Sequence, residues 1–197
     1  MAGELSDHLL ALVNEADVVA IGPGLDDIDE TLKLLRGVVG AVGEHAGIVL
    51  DAYALGALSG QTDLLGSLAS RAVLTPNLSE ARRLLDHDLT DDLDAEAIEV
   101  AQRYATVVSL YGHVASPDGD VWREESADVG LGTSGSGDVS AGIVAGLMAR
   151  GCEPAQAACW AAYVHSVAGL RLTTTFGRTG YLARELVDEV ATTLSMV

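Results

Sequence analysis

The stretch Gly132-Thr133-Ser134-Gly135-Ser136-Gly137-Asp138-Val139 holds the residue types and spacing most able to do chemistry in this chain. A run of glycines and hydroxyls leads into Val139–Arg150, which reads as a buried helix stopped by Gly151. Glycine lets the backbone turn where a side chain would clash, so several N–H groups can point at one spot ahead of the helix. With the positive end of the helix dipole they make an anion site. Asp138 stands at its mouth. A carboxylate repels a resting anion, so a loop that only stored phosphate would gain nothing from it. The pairing makes sense if Asp138 takes a proton from a hydroxyl while the loop holds a phosphoryl group beside it. The same letters also fit an ordinary glycine-rich turn with an acid in the first helical turn. Two better-known loops are excluded. A Walker loop needs Lys and then Ser or Thr after its last glycine, and here Asp138 and Val139 follow. A dinucleotide fingerprint needs Gly or Ala three residues past Gly137, where Ser140 stands, and a strand immediately before the loop.

The elements that must position this loop follow from hydrophobic periodicity. Ser6–Glu15 reads as a helix with Leu9, Leu10, Leu12 and Val13 inward. Asp17–Ile21 reads as a strand buried on both faces, ending in the turn Gly22-Pro23-Gly24-Leu25. Asp29–Val42 is a second helix, Gly47–Ala52 a second strand with Asp51 at its C-terminal end, and Ala72–Thr75 a third strand stopped by Pro76. Asn77 or Ser79 caps the next helix. His87–Asp94 reads as a solvated acidic loop, Ala95–Tyr104 as a helix and Thr106–Leu110 as a fourth buried strand. His113–Ser116 and Asp120–Arg123 flank Pro117-Asp118-Gly119 as a hairpin. Pro154–Thr173 is a long alanine-rich helix in which His165 reads as a satisfied core residue, and Leu182–Leu194 closes the chain. Strand and helix alternate, which implies an α/β fold: one domain over residues 1–197 with a mostly parallel sheet between two layers of helices. The turn at Gly22 and Gly24, Asp51, Thr75–Glu80 and the glycine-rich loop all fall at strand ends, where ligands sit in open sheets.

Composition narrows the partners. The 197 residues are 49% hydrophobic with one Phe, so the core is aliphatic. A formal charge of −18 argues against nucleic acid or an anionic membrane surface, though a nucleotide can still bind through backbone N–H groups and a metal. No apolar run reaches membrane length, and Met1–Asp7 lacks the basic-then-apolar pattern of a leader. Cys152 and Cys159 read as small core residues in a reducing cytoplasm, and no Cys/His group has zinc spacing.

Taken in order, Gly22-Pro23-Gly24-Leu25, Asp51-Ala52, Leu74-Thr75-Pro76 with Glu80, Gly135-Ser136-Gly137-Asp138 with Ala141-Gly142 and Gly146-Leu147, and Gly180-Tyr181-Leu182-Ala183 resemble the ADP/ATP-dependent NAD(P)H-hydrate dehydratases of the ribokinase-like superfamily. The resemblance runs over nearly the whole chain. It implies a three-layer αβα ribokinase-like domain in which a phosphoryl group passes from ADP or ATP, with Mg2+, to the ring hydroxyl of hydrated NADH or NADPH. Phosphate then leaves. It further implies Asp138 as the catalytic base, with the N–H groups of Gly135, Ser136 and Gly137 as the anion hole. Tyr111, Gly112, His113, Val114 and Ala115 would form the nucleotide-binding stretch, with Gly22, Gly24, Asn77 and Asp138 facing the substrate. The chain departs from the family pattern at three places. Asn77 stands for a substrate-contacting histidine, Tyr111 for a lysine, and Tyr53 for the second carboxylate of Asp-Ala-Asp. The family also has an initial segment with a further glycine-rich loop, so the sheet is expected to expose an edge and the chain to self-associate. Two alternatives stay open: a non-catalytic nucleotide- or partner-binding relative, and a ribokinase-like kinase of small alcohols.

Overall fold

Short connections between alternating strands and helices leave a chain of this kind little choice but to stack its strands side by side. The computed structural model describes residues 5–196, so the reading of the first residues as other than a leader falls partly outside the described residues. Helix α1 (Asp7–Glu15) starts where Ser6 Oγ accepts the Leu9 N–H at 3.3 Å. Strand β1 (Val18–Ile21) follows, then α2 (Ile28–Ala41), capped by Asp27, and β2 (Gly47–Leu50). After α3 (Tyr53–Leu58) and a 3-10 turn (Gly66–Arg71) come β3 (Ala72–Leu74), α4 (Leu78–Leu85) and α5 (Leu93–Tyr104). Strand β4 (Val107–Leu110) leads into the hairpin of β5 (His113–Ala115) and β6 (Val121–Arg123). A second 3-10 turn (Val129–Gly132) opens the helical remainder: α6 (Ser136–Met148), α7 (Pro154–Phe176) and α8 (Ala183–Leu194).

The six strands form one sheet in sequence order, with β1 to β4 parallel and β4, β5 and β6 antiparallel. Side chains alternate across it. Ile48, Leu50, Leu74, Val108 and Leu110 pack with Leu35, Leu55, Leu84 and Val100 from the helices of one layer. Val49, Val73, Val107 and Val114 pack with Val144, Ala157, Ala161 and Val164 of α6 and α7 on the other. The three-layer αβα architecture with a mostly parallel sheet is therefore present. Among the described residues, no helix is long and apolar enough to cross a membrane.

Several local expectations are corrected. In α1 only Val13 is buried, while Leu9, Leu10 and Leu12 are exposed, because the helix rests on the core by one corner. Strand β1 is not buried on both faces: it is an edge strand with Ala20 exposed and Val18 and Val19 half-buried. Helix α5 begins at Leu93 because Asp92 accepts the Ala95 N–H at 3.2 Å, which draws Asp94 out of the acidic loop and into the first helical turn.

Candidate active site

Parallel strands place all their C-terminal ends along one edge of the sheet, so Gly22, Asp51, Thr75 and Tyr111 share that edge. Gly22 closes the first turn, its carbonyl accepting the Leu25 N–H at 3.2 Å. Its φ is +135°, and a Cβ there would overlap the backbone carbonyl of Asp51. Glycine is what lets the end of β1 lie against the end of β2.

Asp51 is 6% exposed. Burial, the main cause, pushes its carboxyl up to about 6, and the charges of Glu80 and Asp138 push the same way. The Ala52 N–H and the Thr75 hydroxyl oppose the shift by donating to it. Ala52 itself has φ +48°, a strained conformation for a residue with a side chain, and it holds that N–H against the carboxylate. Asn77, rather than Ser79, caps α4. Its Oδ1 accepts the Glu80 N–H at 3.0 Å while Glu80 Oε2 accepts the Asn77 N–H at 2.8 Å. The Asn77 oxygen is thereby occupied, and its side-chain NH2 is what remains for a ligand.

The glycine-rich loop enters α6 through Gly135, whose φ of +83° is the left-handed corner the turn needs. The helix begins at Ser136, three residues earlier than expected, so Gly137 and Asp138 sit in its first turn. This changes the anion hole. The Ser136 N–H donates to Thr133 O at 3.2 Å, whereas those of Gly135, Gly137 and Asp138 have no acceptor among the described residues. The free donors are those three, with Ser136 spent on holding the turn. Asp138 is exposed and, among the described residues, makes no hydrogen bond or ion pair. It borders a cavity of about 530 Å³ between α6 and α8, walled chiefly by Val139, Ile143, Val187 and Val190.

Three supports of this loop come from residues outside the loop itself. Ser136 Oγ lies 2.9 Å from His165 Nε2 on α7, and burial pulls the histidine's pKa down. His165 is thus a satisfied core residue, as expected, but it is satisfied by the loop itself. Tyr181, 2% exposed, packs with Leu172 and Leu186 against Leu131 and Val139, which flank the loop on either side. Arg178 donates twice to Asp128, at 2.6 and 3.0 Å, and ties the segment before α8 to the segment before the loop.

The expected nucleotide-binding stretch divides. Tyr111, 75% exposed, and Gly112 lie at the end of β4, three strands or roughly 14 Å from the Gly22 turn. His113, Val114 and Ala115 turn elsewhere, because strand alternation sends them to one face or the other. His113 Nδ1 lies 2.6 Å from Asp94 Oδ1 on α5, and Val114 and Ala115 are buried in the two core layers. Asp51, Glu80 with its capping partner Asn77, and Asp138 are brought together; Tyr111 is on the same edge but apart.

Known proteins share this chain's sequence pattern and its fold. The chain is 38% identical over 186 residues to the ADP-dependent (S)-NAD(P)H-hydrate dehydratase of Xanthomonas campestris pv. campestris, covering 91% of this chain and 62% of that one. It therefore spans less than two thirds of that relative's length. The ADP/ATP-dependent NAD(P)H-hydrate dehydratase of Bacillus subtilis, co-crystallised with ATP/Mg2+, superposes with a TM-score of 0.76 at 25% identity, over 95% of this chain and 69% of that one. Phosphofructokinase-2 of Escherichia coli superposes with a TM-score of 0.53 at 16% identity, over 95% of this chain and 61% of that one, which is a likeness of fold alone. A family model described as NAD(P)H-hydrate dehydratase matches residues 1–192, and with the ordered motifs set on one sheet edge as above, the chain belongs to that family.

Proposed function

We propose that this chain, as one domain, dehydrates hydrated NADH or NADPH using ADP or ATP. The observation that carries this reading is the pairing of three free backbone donors, on Gly135, Gly137 and Asp138, with an Asp138 carboxylate that nothing in the described protein engages. Asp138 takes the proton of the ring hydroxyl as its oxygen attacks the terminal phosphorus of the nucleotide. The backbone donors stabilise the charge on the transferring phosphoryl oxygens, helped by the N-terminal end of α6. The ring then loses phosphate with the C–O bonding pair and a proton from the neighbouring carbon, which restores the double bond. Gly22, Gly24 and the side-chain NH2 of Asn77 face the dinucleotide, and Tyr111 and Gly112 face the nucleotide donor. A magnesium ion suits the site, because burial and the charges of Glu80 and Asp138 raise the proton affinity of Asp51. Asp51 and Asp138 would hold it, and it would supply charge neutralisation for the phosphates.

The test is incubation with hydrated NADH, ADP or ATP and magnesium, followed at the absorbance of reduced nicotinamide. Recovery should fall at least about 10³-fold in Asp138→Ala, the scale of a lost general base. Unchanged recovery in that variant would remove the reading. Nucleotide binding without turnover would instead support a second reading, a binding relative. One observation favours it: Asn77 and Tyr111 are uncharged, and the charges that act most on Asp51 are the carboxylates of Glu80 and Asp138. A small-alcohol kinase would consume ATP on another alcohol with no recovery. We further infer self-association through the edge of β1 and the exposed Leu9 and Leu12 of α1, to be read by light scattering. The free Cys152 and Cys159 suit a cytoplasmic setting.

A further inference from the structure

We propose that His87, Glu96 and Glu99 form a site for one divalent transition-metal ion, which fastens the connection between α4 and α5 to α5. One potential ligand atom from each of the three lies within 4.8 Å of the other two. Glu96 and Glu99 are three apart on α5 and so share a face, and His87 arrives from the loop above them. An acidic cluster alone would mean little in a chain of this charge. The independent observation is Glu96, which is 3% exposed yet has its Oε2 buried with no hydrogen-bond partner. Both donors of Thr90, the N–H and the hydroxyl, go to Oε1 at 2.7 Å. A buried carboxylate oxygen left without a partner is costly, and a cation beside it removes that cost.

The histidine is oriented as a metal ligand is. His87 Nδ1 lies 3.0 Å from the Asp88 carbonyl, to which it donates, while Nε2 faces Glu99 at 3.3 Å to each oxygen. A backbone carbonyl on the far nitrogen fixes the tautomer that presents the near one. Arg103 donates to Glu99 Oε1 at 3.1 Å and, through its other terminal nitrogen, to the carbonyls of Leu84 and Leu85, so it can keep its place while Glu99 Oε2 turns to an ion. One imidazole with two carboxylates suits zinc or manganese better than the all-oxygen preference of calcium or magnesium. Two carboxylates and a neutral imidazole match a +2 ion in charge. Helix α5 lies on the opposite face of the sheet from α6, so turnover at Asp138 is not expected to depend on this site.

The experiment is titration of the chelator-treated, full-length protein with zinc against a chromophoric chelator, alongside His87→Ala and Glu99→Gln. Both substituted side chains are substantially exposed, so both variants should fold, which circular dichroism checks. One equivalent of zinc is expected on the wild type, at least tenfold weaker in each variant, with a zinc-dependent rise in unfolding temperature that both variants lose. No uptake by the wild type, or undiminished uptake by either variant, overturns the proposal. Anomalous scattering from wild-type crystals grown with zinc gives a reading that needs no variant: a peak among the three side chains supports the site, and a peak only elsewhere overturns it.

Discussion

Asp51 and Asp94 are the same residue type in the same acidic chain, and the fold pushes them in opposite directions. Asp94, on the α5 side, meets Arg123 and His113, whose donated hydrogen bonds hold its carboxyl down at about 2. Asp51, at the end of β2, meets burial and two further carboxylates, and is held up at about 6. At Asp94, charge is matched with charge. The sheet edge gathers Asp51, Glu80 and Asp138 beside free N–H donors and leaves the balance to be completed by something that is not protein. The difference teaches where to look in a strongly acidic chain. Acid density points to nothing by itself: within the acidic stretch His87–Asp94, Asp94 is paired with His113. The informative place is where carboxylates face one another without a cation.

The largest way to break this comparison is Gly22→Ala. A Cβ there meets the Asp51 carbonyl, which is backbone and cannot swing aside, and the φ of +135° adds its own strain. A loss of at least about 3 kcal/mol is expected in urea unfolding. Any folded fraction should also lose activity with the displaced Asp51. Gly24→Ala, where a Cβ would meet nothing within 4 Å, serves as the control, since it carries the cost of positive φ alone.

Next comes Asp51→Asn, which sharpens the comparison through pH. The folded carboxyl titrates at about 6 against an ordinary value of 3.8, so between those values the folded state binds more protons than the unfolded state. Stability should therefore fall as pH rises from about 4 to about 6 and stay level above, by on the order of 1–3 kcal/mol. The amide does not titrate, so the variant should lack this decline and exceed the wild type at pH 7. Denaturant midpoints at pH 4, 5, 6 and 7 check it; the same slope in both proteins would show that Asp51 is not the group responsible.

What was legible in the sequence was local or periodic. The alternation of strands and helices, a cap at Asn77 or Ser79 and the corner before α6 are each written within a few neighbouring residues. The strands read as short apolar runs, and four of them took their parallel places. What failed needed the third dimension. Leu9, Leu10 and Leu12 have a helical apolar pattern, but whether anything covers them depends on elements far along the chain. Strand β1 reads like β2 in composition, and its position at the sheet edge is a property of strand order. Ser136 and His165 are 29 residues apart, so no local spacing could show that the histidine steadies the anion loop. The Ser136 N–H reads as an anion donor because a loop sequence does not say which donor the turn itself consumes. Asp94 looked solvated for the same reason: its partners Arg123 and His113 lie on the hairpin, brought to α5 only by the sheet.

That last pairing supplies the smallest expected effect. The Asp94 carboxyl is lowered from 3.8 to about 2, so the stability it contributes is full above about pH 4 and is lost as pH falls toward 2. The shift is large, but the Arg123 side chain is 53% exposed, and water screens a pair of that kind. Asp94→Asn should therefore cost under about 1 kcal/mol at pH 7, and less again in high salt. It should cost little near pH 2, where the wild-type carboxyl is about half protonated and most of the interaction is gone. The outcome bears on the comparison from the other side. If the loss at pH 7 were several kcal/mol and indifferent to salt, Asp94 would be holding the hairpin against α5 as a buried pair does. The α5 face would then be as electrostatically demanding as the sheet edge, and the contrast between matched charge at Asp94 and unmatched charge at the sheet edge would rest on Asp138 alone.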